Sequence, residues 1–147
     1  MKMIVLLPLL GFLVNGLAGR RLGNRFVSVV GCGLPIAAFA VAVKYFLDLR
    51  AAGGAPIVEV AYTWLAAGKD TFEIAFYFDR LTAVMALIVT GVGSLIHVYS
   101  VGYMKEDASY ARYFAYLNLF LSEMLVLILA SSYLLMFVGW EGVGLCS

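Results

Sequence analysis

LTAVMALIVTGVGSLIHVYSV, Leu81 to Val101, runs without a single Asp, Glu, Lys or Arg. A spanning α-helix needs about 20 mainly apolar residues, so this stretch reads as a helix laid across a bilayer. Working outward, Met3 to Ala18, Phe26 to Leu49 and Tyr113 to Ala130 carry the same signature, and a further apolar run occupies Tyr133 to Ser147. The composition agrees. Of 147 residues, 64% are hydrophobic and 13% charged, a membrane balance. The expected fold is an all-α integral membrane protein, one helix bundle over 1–147 with spans near 3–18, 26–49, 81–101, 113–130 and 133–147. The last run covers only part of a bilayer at ~1.5 Å per residue. An unfinished span leaves backbone groups unsatisfied in lipid, so the chain is expected to be the N-terminal part of a longer protein.

Between the second and third spans, IVEVAYTW and TFEIAFYF flank LAAGKD. Their partial alternation and their β-branched and aromatic residues predict a short extramembrane β-hairpin over Ile57 to Phe78; an ordinary amphipathic loop is the alternative. The first span has a second reading too, because Lys2, the apolar run and the small Gly16 and Ala18 imitate a cleavable signal peptide. Arg20, Arg21 and Arg25 follow at once. Basic residues there favour a retained helix whose C-terminal end is cytoplasmic.

A net charge of +1 gives no basic excess for nucleic acid. Cys32 and Cys146 lie in apolar runs, with no Cys-x-x-Cys spacing and no histidine cluster to hold a metal. GVGSLI, Gly91 to Ile96, lacks the third small residue and the preceding strand of a dinucleotide fingerprint. No cofactor or metal site is expected on this chain.

The polar residues inside the spans are the informative ones. Glu141 stands in GWEGVGL, Gly139 to Leu145. An ionisable group at bilayer depth costs about 2.5–3.5 kcal/mol on insertion scales, whereas a central Leu, Phe or Val returns about 0.3–0.6. Glu141 should therefore face protein or water. Gly139, Gly142 and Gly144 suggest either close approach of another helix or room for water beside the carboxyl, with Gly144 on nearly the same face. Desolvation disfavours the charged form, so such a carboxyl can exchange protons near neutrality. A hydrogen bond that merely locks helices is the plainer role. Glu123, in LFLSEMLVL, poses the same choice. His97 lies on a stripe with Thr90, Ser94 and Ser100 that predicts a wet or helix-facing side; a proton relay and a satisfied packing residue are its two readings. Asn15, Asn118 and Ser122 read as interhelical hydrogen-bonding residues, and Lys44 as a snorkelling one.

FDRLTAVMALIVTGVGSLIHVYSVGYM (Phe78 to Met104), SYARYFAYLNLFLSEMLVLILA (Ser109 to Ala130) and LLMFVGWEGVGLCS (Leu134 to Ser147) together resemble the antiporter-like L subunit of NADH:quinone oxidoreductase, respiratory complex I. The resemblance implies proton translocation coupled to redox chemistry elsewhere, with FMN, iron-sulfur clusters and quinone on partner subunits and none here. It implies antiporter-like M and N type subunits and the lipid bilayer as partners, and the bacterial inner (cytoplasmic) membrane over an organellar one. Glu141 corresponds to the family's helix-five glutamate of proton translocation. His97 and Glu123 are possible members of a proton path without an assigned role. The sequence departs from the family at Ser131 and Ser132, where Asp-Asn is usual, and at Glu123, where a small neutral residue is usual. A sodium or potassium/proton antiporter subunit, a related membrane-bound hydrogenase or ferredoxin-dependent complex, and a purely structural membrane anchor are the competing expectations.

Overall fold

A computed structural model describes residues 1–67 and 70–147, with side chains at 1–63 and 73–147. The helices are α1 (Lys2–Leu22), α2 (Asn24–Ala51), α3 (Arg80–Tyr103), α4 (Tyr110–Leu129) and α5 (Tyr133–Cys146), with strands β1 (Ile57–Ala67) and β2 (Asp70–Phe78) between α2 and α3. Each expected span lies within one of these helices, apart from a residue at the ends of the last two. Residues 68 and 69, at the tip of the expected hairpin, lie outside the described residues.

α1 to α4 are each long and apolar enough to cross a membrane. The first two are longer than hydropathy suggested, because Arg20 and Arg21 complete the last turn of α1 and Arg25 lies in the first turn of α2. Gly23 alone separates the two helices. Its φ of 83° is a left-handed value that glycine adopts without steric cost, so the expected basic loop is a one-residue reversal. Pro8 and Pro35 sit inside α1 and α2, as spanning helices tolerate when neighbours re-satisfy the freed carbonyls.

α4 is the centre of the bundle, packing against α1, α2, α3 and α5, while α5 rests on α4. The core has two parts. Towards the hairpin, Ile4, Ala42, Phe78, Ala86, Leu125 and Leu129 are buried together. At the other end Val27, Tyr110 and Phe114 form a smaller cluster.

The hairpin is antiparallel, pairing Ile57 with Phe78 and Val60 with Ala75, with an irregularity between Val60 and Tyr62. It closes one end of the bundle through three ties. The Ser131 N–H donates to the Ala75 carbonyl at 3.0 Å, Phe78 is fully buried, and Glu59 pairs with the amine of Met1, which also donates to Tyr45 Oη at 2.5 Å. Asp79 then starts α3: its Oδ1 accepts from the Thr82 N–H at 2.8 Å. That N-cap bond holds the Asp79 carboxyl below the ordinary aspartate range, against a smaller opposing effect of burial.

Candidate functional site

α5 meets α4 through its glycines. A Cβ at Gly139 would stand 2.6 Å from the backbone nitrogen of Leu127, and one at Gly142 would stand 2.6 Å from the carboxyl carbon of Glu123. Of the two explanations for the glycines, close helix approach holds at these positions. The room they make is occupied by the α4 backbone and the half-buried Glu123. Gly144 has open space around it.

Glu141 lies on the other side of α5. It is exposed, on a face shared with exposed Phe137, Trp140 and Leu145, and no ion pair reaches it among the described residues. The enclosed setting expected for this carboxyl is not built by these residues. α4 covers only the glycine side of the helix, and Glu141 is turned away from it.

His97 is buried in the bundle, 1% exposed. Its Nδ1 lies 2.7 Å from the Gly93 carbonyl; since a carbonyl only accepts, the proton belongs on Nδ1. Phe114 packs beside the ring at a centroid distance of 6.4 Å. The rest of the stripe behaves alike: Thr90 Oγ1 donates to the Ala86 carbonyl at 2.6 Å, Ser94 Oγ to Thr90 at 2.7 Å and Ser100 Oγ to Ile96 at 2.8 Å. The stripe is thus helix-facing, with its hydroxyls satisfied one turn back along α3.

The expected interhelical bonds are present. Asn118 Nδ2 donates to the Gly31 carbonyl of α2 at 3.2 Å, Ser122 Oγ to the Val5 carbonyl of α1 at 3.1 Å, and Asn15 Nδ2 to the Val27 carbonyl of α2 at 3.5 Å. Gly11 and Gly31 admit these amides, for a Cβ on Gly11 would lie 2.4 Å from Asn118 Oδ1. Two tyrosine contacts escaped the sequence reading: Tyr113 Oη with Ser100 Oγ at 3.0 Å, and Tyr110 Oη with Ser28 Oγ at 2.7 Å. Their only trace in sequence is the spacing of the two tyrosines, i and i+3, at the start of α4.

The structure does not hydrogen-bond Glu141, Glu123 and His97 to one another. Glu123 touches α5 beside Gly142, His97 sits between α3 and α4, and Glu141 faces outward. Among the described residues no three His, Cys, Asp or Glu side chains converge as a metal site would require.

NADH-quinone oxidoreductase subunit L of Mycobacterium tuberculosis (strain CDC 1551 / Oshkosh) is 42% identical over 147 residues, covering 99% of this chain and 23% of the relative. Subunit L of Escherichia coli K12 is 38% identical over 100% of this chain and 24% of its own. The family model described as NADH-ubiquinone oxidoreductase (complex I), chain 5 N-terminus, matches residues 64–114. The chain belongs to the complex I subunit L, or chain 5, family. NADH-ubiquinone oxidoreductase chain 5 of the fungus Podospora anserina, 37% identical over 98% of this chain and 22% of its own, shows that both lettered and numbered members are similar to it. This subunit L family chain spans about a quarter of the length of these relatives. In fold it is similar to a chain of an archaeal respiratory membrane complex, the membrane-bound sulfane sulfur reductase, with a TM-score of 0.75 at 20% identity over 99% of this chain and 22% of that one.

Proposed function

We propose that this chain forms part of a proton-translocating membrane subunit of NADH:quinone oxidoreductase, in which Glu141 is a proton-exchanging carboxyl. The observation that supports this reading most is the 38–42% identity to subunit L relatives across the whole five-helix unit. The redox groups, FMN, iron-sulfur clusters and quinone, belong in this reading to other polypeptides. Antiporter-like M and N type subunits are its neighbours, and the bacterial cytoplasmic membrane its location.

Protons move by a change in the environment of the carboxyl. A cation approaching a carboxyl favours its ionised form and releases the proton, and departure of the cation lets the proton return. These residues supply the carboxyl and a rigid support for it, since α5 is anchored on α4 by Gly139 and Gly142. The cation and the cover over the Glu141 face come, in this reading, from further parts of the assembly. His97, with its proton held on Nδ1 by Gly93, offers Nε2 as an acceptor for a proton path between α3 and α4. Glu123 offers a second carboxyl at the α4–α5 seam.

Glu141→Gln in the complete complex tests the reading. The assembly should form and oxidise NADH, with proton transport into proteoliposomes reduced at least tenfold. Undiminished transport per assembled complex refutes the role of Glu141. Loss of assembly on a native gel, with transport per complex unchanged, makes the residue structural. A preparation without flavin absorbance or iron-sulfur signals refutes the oxidoreductase assignment and leaves an antiporter.

A further inference from the structure

We infer that the seam between α2 and α3 binds an anionic glycerophospholipid, with Arg50 and Arg80 holding the phosphate and the apolar groove beyond them taking an acyl chain.

The headgroup end is a cavity of about 440 Å³ with an apolar floor of Phe46, Leu49 and Val84, flanked by Arg50 and Arg80. It is built around the end of α2. The Gly53 N–H donates to the Arg50 carbonyl at 3.1 Å and the Gly54 N–H to the Leu49 carbonyl at 2.9 Å, the paired closure of a Schellman turn. Both glycines have left-handed φ, 70° and 84°. Arg80 packs onto this turn: its Nη2 donates to the Gly53 carbonyl at 3.3 Å, and a Cβ at Gly54 would stand 2.5 Å from its Nε and Nη2. Any residue but glycine at 54 would displace the guanidinium. Among the described residues the Arg80 side chain makes this one hydrogen bond, and its planar fork of five N–H donors is suited to phosphate oxygens.

Among the described residues neither arginine has a carboxylate within ion-pair distance. The acidic neighbours in sequence are engaged elsewhere, Asp48 with Lys44 at 3.0 Å and Asp79 with the Thr82 N–H. Two guanidiniums at the end of adjacent spanning helices attract a headgroup with net negative charge more than a zwitterion that carries its own ammonium.

Beyond the arginines the seam opens into a groove. A further cavity of about 770 Å³ continues along the same seam, shares Phe46 with the first, and is lined by Phe39, Leu87, Gly91 and Leu95. Gly91 opens it, bringing its Cα against the Phe39 ring, where a Cβ would stand 3.1 Å away. Its one polar lining residue, Ser94, already donates to Thr90. From Val84 in the first cavity to Leu95 in the groove, the two together follow α3 for about 16 Å at ~1.5 Å per residue, close to half of a ~30 Å hydrocarbon core. That is the depth an acyl chain of one leaflet reaches. A free phosphate uses the arginines and leaves the groove unexplained; a phospholipid uses both.

The test uses the full 147-residue chain in nanodiscs of phosphatidylglycerol and phosphatidylcholine in equal amounts, each in turn carrying a photoactivatable acyl chain. Peptide mapping should find phosphatidylglycerol crosslinked to α2 and α3 along the seam, roughly tenfold or more above phosphatidylcholine. Arg50→Gln/Arg80→Gln should abolish that preference. Val92→Trp, which fills the groove from an exposed position and keeps both arginines, should remove the crosslink. Millimolar inorganic phosphate should not compete. Equal crosslinking of the two lipids, an unchanged preference in the double glutamine variant, or an unchanged crosslink in Val92→Trp overturns the proposal; displacement by inorganic phosphate reduces the site to an anion site and also overturns it. If the double variant misfolds, Arg80→Lys, which keeps the charge and loses the fork, and Val92→Trp still decide between these outcomes.

Discussion

Glu123 of α4 lies against Gly142 of α5, so close that a Cβ on residue 142 would stand 2.6 Å from Glu123 Oε2. One residue back, Glu141 is turned about 100° around the helix, away from α4 and exposed. The glycine-rich segment thus has two acidic neighbours with different surroundings, and the glycines serve the one on α4.

The obstacle at each glycine decides what substitution costs. At Gly139 it is the Leu127 backbone at 2.6 Å, which cannot turn aside. Gly139→Ala should lift α5 off α4 and cost about 1–3 kcal/mol, as overpacking does. At Gly142 the obstacle is the flexible end of Glu123, so Gly142→Ala should cost well under half as much, and Gly142→Ala/Glu123→Ser less again. Gly144 has nothing near it; Gly144→Ala should be neutral or stabilising by up to about 1 kcal/mol through helix propensity. Unfolding of detergent-solubilised protein with rising SDS ranks the variants.

Asn118 joins α4 to α2 and receives Gly11 of α1. Its amide donates to Phe114 at 2.8 Å and to Gly31 at 3.2 Å. Interhelical hydrogen bonds in membranes average about 0.6 kcal/mol and reach about 1.7, so Asn118→Leu should cost about 1–2 kcal/mol by the same SDS titration, its bulk against Gly11 included. A variant as stable as the parent would show that packing alone holds this junction.

Asp79 caps α3, and its folded carboxyl is held below its ordinary range first by the Thr82 N–H. A carboxyl depressed on folding stabilises the fold fully above its unfolded value of about 3.9, and that contribution disappears as pH falls through the lower folded value. Asp79→Ala should therefore cost about 0.5–2 kcal/mol at neutral pH and progressively less below about pH 4. Thermal unfolding of both proteins from pH 7 downward should converge; a constant gap would exclude the ionised cap as its source.

Tyr113 joins the stripe on α3 to α4 through Ser100. Tyr113→Phe keeps the ring and removes the bond, and Ser100 retains its bond to Ile96. A loss of about 0.5–1.5 kcal/mol is expected. Ser100→Ala/Tyr113→Phe should be nearly as stable as Tyr113→Phe, since neither partner is then left wanting.

The membrane class, the helices and the hairpin were legible because each rests on local chemistry: long charge-free runs for the spans, and β-branched and aromatic residues for Ile57 to Phe78. The helix-bonding roles of Asn15, Asn118 and Ser122 were legible too, since an amide or hydroxyl in a spanning helix needs a partner. Which way Glu141 turns was not. Adjacent residues on a helix point about 100° apart, and only the docking of α5 on α4 decides whether residue 141 or residue 142 faces the bundle. Gly139 and Gly142 make that choice by letting α4 in on their side. Likewise the meeting of Arg50 and Arg80, 30 residues apart in sequence, depends on α2 and α3 running side by side, a pairing that no local pattern of hydropathy encodes.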